Sequence, residues 1–176
     1  AGYSAALKID SVAIMPMQAV GNAMSTFTAQ NIGAMKQERV REGYRASYPM
    51  IFLINLAVFL VIQFFGETFL GFFLENGSGS VAMQTGMEYL HVVSITYFML
   101  GLLMVTGSVL RGSGDLLWFL LASVANLAAR VGCAYGLNGI IGIAAVWYSM
   151  PVGWLAGFAV NFFRYHQGKW MKKKLI

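Results

Sequence analysis

Gln30 to Arg45 reads QNIGAMKQERVREGYR, and it is here that a long apolar run stops and a tight alternation of charges begins. On its near side Ser11 to Met35 holds no charged residue, and on its far side Tyr48 to Gly66 holds none either. An ion at the centre of a bilayer costs about 2.5–3.5 kcal/mol, so uncharged stretches of roughly 20 residues are what a membrane selects, and charges collect between them. The segment therefore reads as a loop on the cytoplasmic face of a multi-span membrane protein.

Composition supports the same class. Of the 176 residues 11% are charged and 58% apolar, whereas a soluble domain carries about a quarter charged and under half apolar. With a mean hydropathy of +0.65 and 14% aromatics, too few polar side chains remain to cover a surface facing water, so the outer surface must face lipid. The net charge of +5 does not point to nucleic acid, because the basic residues sit at the ends of apolar runs rather than along one face. The single Cys133 excludes an internal disulfide and reads as a small packing residue. The opening AGYSAALKID lacks the pattern of a signal peptide, and the expectation is a chain that begins inside something larger.

Five membrane spans are expected, at residues 5–28, 49–66, 89–110, 116–135 and 140–163. The first, Ala5 to Thr28, is the most polar, with Asp10, Gln18 and Asn22, so one face should look into protein or a water-filled cavity. Pro16 removes one of its backbone hydrogen bonds, which predicts a kink. In the charged loop Glu38 precedes Arg41 by three residues and Glu42 precedes Arg45 by three, a spacing that pairs acid and base on a helical turn; the bland reading is a solvated turn rather than a ligand site. Ser47 as N-cap and Pro49 in the first turn predict that the second helix starts there and runs to Gly66 or Leu74. Glu75 to Ser80 (ENGSGS) predicts a turn. The third span ends at Arg111-Gly112-Ser113-Gly114-Asp115, short enough for a hairpin between antiparallel helices. The fourth carries Asn126 and Arg130, and Gly136 to Gly139 is expected to turn the chain again. The last has Pro151 at its centre, with Gly153 and Gly157 spaced for close helix approach. In the basic tail Trp170 reads as an interface anchor.

Counting Lys and Arg in alternate connections tests this layout. The Gln30 to Tyr48 loop has four, the Arg111 hairpin one and the tail five, against Lys8 and Arg130 on the other side. That asymmetry places the N-terminus outside and the C-terminus in the cytoplasm.

Three stretches together resemble the carboxy-terminal part of the MATE family, the multidrug and toxic compound extrusion transporters. The first is Lys8-Ile9-Asp10-Ser11 with Pro16, Gly21 and Ser25, followed by Gln30-Asn31-Ile32-Gly33-Ala34 and Glu38-Arg39. The second is Leu110-Arg111-Gly112-Ser113-Gly114-Asp115. The third is Pro151-Val152-Gly153-Trp154, leading to Arg164-Tyr165 and Gly168-Lys169-Trp170. The resemblance implies an all-α membrane protein whose five transmembrane helices correspond to helices 8 to 12 of a twelve-helix transporter and form most of its second six-helix lobe. It further implies an antiporter in the plasma membrane that exports organic cations, drugs or other xenobiotics in exchange for protons or sodium ions. Such a protein needs no cofactor beyond the coupling ion, and its partners are the bilayer and the missing N-terminal lobe. One departure stands out. Some members carry a carboxylate inside the helix matching Tyr89 to Leu110, where this chain has no Asp or Glu, so the resemblance gives no coupling site in this lobe and leaves coupling to the absent one.

Asp10 is the one carboxylate inside an expected span. It reads either as an acid at the cavity that attracts cations or as a charge in the outer headgroup region, and Lys8, two residues away, points to another side of the helix. Gln18 and Asn22 share a face and read as drug contacts or as polar glue between helices. Tyr97, with Phe98 and Met99, could line a pocket for flat hydrophobic cations, as Asn126 could; packing is the plainer reading. Arg130 could pair with Asp10 or Glu88, or extend to the outer interface. His91 reads as a histidine hydrogen-bonded near the headgroups or as a proton carrier. Pro16, Gly33, Arg111, Asp115 and Pro151 are the structural or gating candidates. No catalytic or metal-binding set is expected, which disfavours the rival reading of a membrane-embedded enzyme. A lipid or glycan flippase of related architecture is the alternative transporter, although the neutral deep positions do not suit a phosphate-bearing cargo.

Overall fold

The computed structural model describes residues 2–74 and 80–172; the Glu75–Gly79 part of the expected turn and the end of the basic tail lie outside them. The described residues form five α-helices: α1 (Gly2–Gly33), α2 (Gln37–Phe73), α3 (Ser80–Gly112), α4 (Leu116–Ile141) and α5 (Ala145–His166). Short 3-10 turns follow at Gly142–Ala144 and Lys169–Lys172. At 1.5 Å per residue α1 is about 48 Å long, well beyond the roughly 30 Å of hydrocarbon it would cross. Among the described residues three stretches are long and apolar enough to cross a membrane: Gln37–Phe73, Val81–Gly112 and Leu116–His166, the last containing both α4 and α5. The polar side chains of α1 keep it out of that group.

The α2 helix starts at Gln37, not at Pro49 as expected. Val40, Tyr44, Ser47 and Ile51 are all buried, and their spacing of four, three and four makes one helical stripe that carries the helix back through the charged segment. The charges stay outside, where Arg41 Nη1 meets Glu38 Oε1 at 2.7 Å. Ser47 is no N-cap: its Oγ donates to the Tyr44 carbonyl at 2.6 Å. Pro49 is tolerated inside the helix at the loss of a single backbone bond.

What remains of the loop is a three-residue Schellman turn. Lys36 N donates to Asn31 O at 2.8 Å and Met35 N to Ile32 O at 3.0 Å, and Met35 takes the left-handed conformation at φ 57°, where glycine is usual. Gly33 is the last residue of α1, and nothing lies within 4 Å of where its Cβ would be. The conformational demand falls on Met35, which is 82% exposed. Met35→Gly should therefore stabilise the folded protein by about 0.5–1 kcal/mol, seen as a higher unfolding temperature in detergent, because the left-handed region costs an L-residue about 1–2 kcal/mol, partly offset by the extra freedom of unfolded glycine. The Arg111 to Asp115 hairpin forms as expected, and it repeats the motif: Asp115 N donates to Leu110 O at 2.8 Å, with Gly114 at φ 78°.

α4 does not turn at Gly136 to Gly139. It continues to Ile141, and the break comes at Gly142, φ 58°, since glycines with helical φ weaken a helix without ending it. The α4–α5 hairpin closes as its glycines predict. A Cβ at Gly157 would lie 3.0 Å from the Ala122 carbonyl and 3.1 Å from Leu103 Cδ1, and Gly153 receives the side chains of Arg130 and Asn126.

α3 is the central helix, packed on α1, α2 and α5, while α4 is held chiefly by α5. Two apolar clusters stack along it. One gathers Ala6, Met17, Leu70, Tyr89, Val93, Tyr97, Trp147 and Trp154. The other gathers Met24, Ile32, Val40, Tyr44, Ile51, Val109, Leu110 and Trp170. Trp170 is thus a core residue, not an interface anchor: it is 1% exposed, stacks on Tyr165 at 5.4 Å and donates its indole N–H to the Tyr165 carbonyl at 2.9 Å. Outward, α2 and α4 present Phe64, Phe72, Leu117, Val124 and Leu127, an apolar skin suited to lipid.

Candidate functional site

α1 turns Ala6, Asp10, Met17, Gly21 and Met24 along one side at steps of three, four and seven, and that side faces α3. Asp10 is half-buried there. From α3, Tyr89, Val93 and Tyr97 stand at steps of four and are fully buried. The Tyr97 hydroxyl donates to Asp10 Oδ1. The Tyr89 hydroxyl faces the same carboxylate and lies 3.8 Å from Met150 Sδ.

Aromatic rings close around this pair. Tyr3 packs edge-on against Tyr89 at 5.2 Å and lies 6.0 Å from Trp147, while Trp154 lies 6.2 Å from Tyr97. Arg130 of α4 comes within electrostatic reach of Asp10, Tyr3 and Tyr89, its stem laid against Gly153. Among the described residues Arg130 forms no ion pair with Asp10 or Glu88, and Glu88 accepts a bond from Gln84 Nε2 at 3.2 Å. Lys8 points elsewhere, as its spacing from Asp10 requires, with Nζ 5.4 Å from the centre of the Phe73 ring. A carboxylate among π-faces, with one hydroxyl donor and one offset guanidinium, can exchange a proton or attract an organic cation.

Of the expected site residues, the fold brings Asp10 and Tyr97 into direct contact. Asn22 is elsewhere, accepting from Arg111 Nη2 at 3.0 Å, and Arg111 Nε lies 3.4 Å from Ser25 Oγ, so α1 is tied to the end of α3. Gln18 is exposed. Asn126 packs against Gly153 and Gly157, and Pro16 borders an apolar groove between α1 and α2. Tyr97, Phe98 and Met99 do not line one pocket: successive helical residues turn about 100° apart, and Phe98 meets Phe52 at 6.3 Å instead. His91 is exposed, Cys133 and Pro151 half-buried. Asp115 makes an ion pair with Arg164, Oδ2 to Nε 2.5 Å, and Arg164 also lies over Trp118 at 5.0 Å.

Sequence reasoning missed Tyr3, Tyr89, Trp147, Met150 and Trp154. The eight-residue spacing of Tyr89 and Tyr97 and the seven-residue spacing of Trp147 and Trp154 were the available signals, each marking one helix face.

A bundle of long apolar helices around a semi-buried carboxylate is the architecture of a helical membrane protein. The chain belongs to the MatE family, whose model matches residues 1–136. It is 27% identical over 181 residues to "Probable multidrug resistance protein YoeA" of Bacillus subtilis (strain 168), an alignment covering 99% of this chain and 38% of that protein. The chain thus spans under half the length of the relatives it matches. Its fold is similar to an inward-facing multidrug resistance MATE family transporter of the MOP superfamily, with a TM-score of 0.83 and 22% identity over 97% of this chain and 40% of the other. An outward-facing conformation gives 0.84 and 20%, over 98% and 39%.

Proposed function

We propose that the five helices each span the plasma membrane and form most of the second lobe of a twelve-helix antiporter, with the N-terminus of this chain outside and its C-terminus in the cytoplasm. The antiporter exports organic cations, drugs or other xenobiotics and takes up protons or sodium ions in exchange. The observation that carries this reading is the Asp10 carboxylate, half-buried between α1 and α3, bonded by Tyr97 and ringed by aromatic side chains. Family membership supports transport, and the distribution of Lys and Arg supports the orientation.

In this reading Asp10 supplies the negative charge that a cationic substrate seeks, and the faces of Tyr97, Trp147 and Trp154 supply contacts for its flat apolar body. The positive charge of Arg130, whose side chain lies against Gly153, repels a bound cation once Asp10 is neutralised by a proton or ion. Binding of drug and of coupling ion then exclude one another at Asp10, as exchange requires, which puts the exchange in this lobe rather than in the absent one to which the resemblance left it. Gly153 gives Arg130 its path across α5, and the Arg111 link to Asn22 and Ser25 holds the opposite end of α1 to α3.

The test is ethidium accumulation in cells expressing the full-length protein, with and without a proton uncoupler and with sodium replaced by potassium. Expression should lower accumulation severalfold, and removing the coupling gradient should abolish the difference. Accumulation equal to that of empty-vector cells across several cationic dyes would overturn the drug-export reading.

A further inference from the structure

At the end of the bundle away from Asp10, α2 and α5 form a half-open pocket of about 390 Å³ lined by Arg41, Arg45, Tyr48, Phe162, Tyr165 and His166, of which Arg45, Phe162 and His166 are exposed. Arg41 and Arg45 stand one turn apart on α2 and so share a face. His166 enters from α5, its ring 4.3 Å from Phe162 and 5.8 Å from Tyr165. Tyr44 forms part of the wall, its hydroxyl sharing a hydrogen bond with Thr106 at 2.8 Å.

Arg41, Arg45, Tyr48, Tyr165 and His166 line one space. Glu38 occupies one N–H of Arg41; a guanidinium has five, so donors remain. Glu42 is exposed and does not border the pocket. Two guanidiniums, an imidazole and two phenol hydroxyls around a small volume form a donor set for a phosphate, which arginine binds through paired N–H groups.

The same stripe of α2 continues past the pocket. Stepping from Arg45 by three and four residues reaches Tyr48, Phe52, Asn55 or Leu56, and Phe59. Beyond Tyr48 these residues line an apolar groove of about 470 Å³, closed on its other side by Ser94, Ile95 and Phe98 of α3. Phe52 and Leu56 are exposed within it. A polar anion pocket followed along the same helix face by an apolar trough matches a molecule with a phosphate at one end and a hydrocarbon chain at the other.

We propose that Arg41, Arg45, Tyr48, Tyr165 and His166 bind the headgroup phosphate of an anionic phospholipid, with one acyl chain laid along Phe52 and Leu56 between α2 and α3. Basic pockets at the inner ends of membrane helices are suited to such headgroups, and the counted charges place this end at the cytoplasmic face. The site rests on the membrane reading but not on the export reading, and because binding is measured without transport the two fail separately.

The experiment is native mass spectrometry of the full-length protein in mild detergent with phosphatidylglycerol, with phosphatidylcholine of the same chains, and with glycerol 3-phosphate. Phosphatidylglycerol should be retained at least fivefold better than phosphatidylcholine, and more weakly as ammonium acetate is raised. Arg41→Gln with Arg45→Gln should lower that retention about tenfold. Arg39→Gln, the loss of one charge at an exposed position of the same helix, should leave it unchanged, as should the soluble glycerol 3-phosphate at equal concentration. Equal retention of the two lipids by the unaltered protein would overturn the proposal without recourse to any variant. Unchanged retention in the double variant, equal loss in Arg39→Gln, or displacement by glycerol 3-phosphate at equal concentration would also overturn it, the last by assigning the pocket to a free phosphate.

Discussion

Arg164→Ala is expected to destabilise the bundle by about 3–5 kcal/mol, the cost of leaving a buried charge without its partner. Arg164 and Asp115 face each other at 2.5 Å with side chains 9% and 1% exposed, so no water replaces the lost guanidinium. The same change removes the cation over the Trp118 ring and the 3.1 Å bond from Nη1 to Gln167 Oε1. Asp115 lies in the turn between α3 and α4 and Arg164 in the last turn of α5, so the pair pins the α4–α5 hairpin onto α3 at one end. Thermal unfolding of the purified protein in detergent should show the loss. The double change Asp115→Leu with Arg164→Met should unfold at a higher temperature than either single change, because it removes both charges together. Single losses that simply add would show that the two side chains act independently.

Asp10→Asn is expected to lower dye export at least tenfold while leaving the unfolding temperature within a few degrees. The amide has the shape of the carboxylate and can still accept from the Tyr97 hydroxyl, so packing persists while the negative charge is lost. Tyr97→Phe should cost less, because the carboxylate survives with Tyr89 facing it. Asp10→Asn with export equal to the unaltered protein would make Asp10 a packing residue and move the cation site elsewhere. Export rates in everted vesicles, normalised to protein content, separate these outcomes.

Helical character, the apolar stretches and the Arg111 to Asp115 hairpin were legible because each rests on a local cost. An ion in hydrocarbon, a long uncharged run or a glycine past a helix end says its piece within a few residues. Helix limits were less legible. The α2 start was expected at Pro49 because cap residues and proline make a good N-terminus, yet the buried stripe of Val40 and Tyr44 against α3 and α5 outweighed them. Trp170 looked like an anchor beside basic residues, but the chain folds back at Gly168 and lays it on Tyr165. The site was half legible: Asp10 stood out as a lone carboxylate and Tyr97 as a buried phenol, whereas their contact, and the enclosure by Trp147 and Trp154, required three helices to be rotated correctly about their axes.

The sequence by itself determined that this is a helical membrane protein, which segments are apolar, how the charges are divided between its two ends, and which family it resembles. Those properties are written along the chain, one helix at a time. The tertiary structure alone decided that Tyr97 bonds Asp10, that Arg130 lies against Gly153, that Arg164 pairs with Asp115, and that Arg41 and Arg45 share a pocket with Tyr165 and His166. Residues this far apart along the chain meet only when helices cross at a given rotation, and that rotation is set by the summed packing of whole faces rather than by any short stretch.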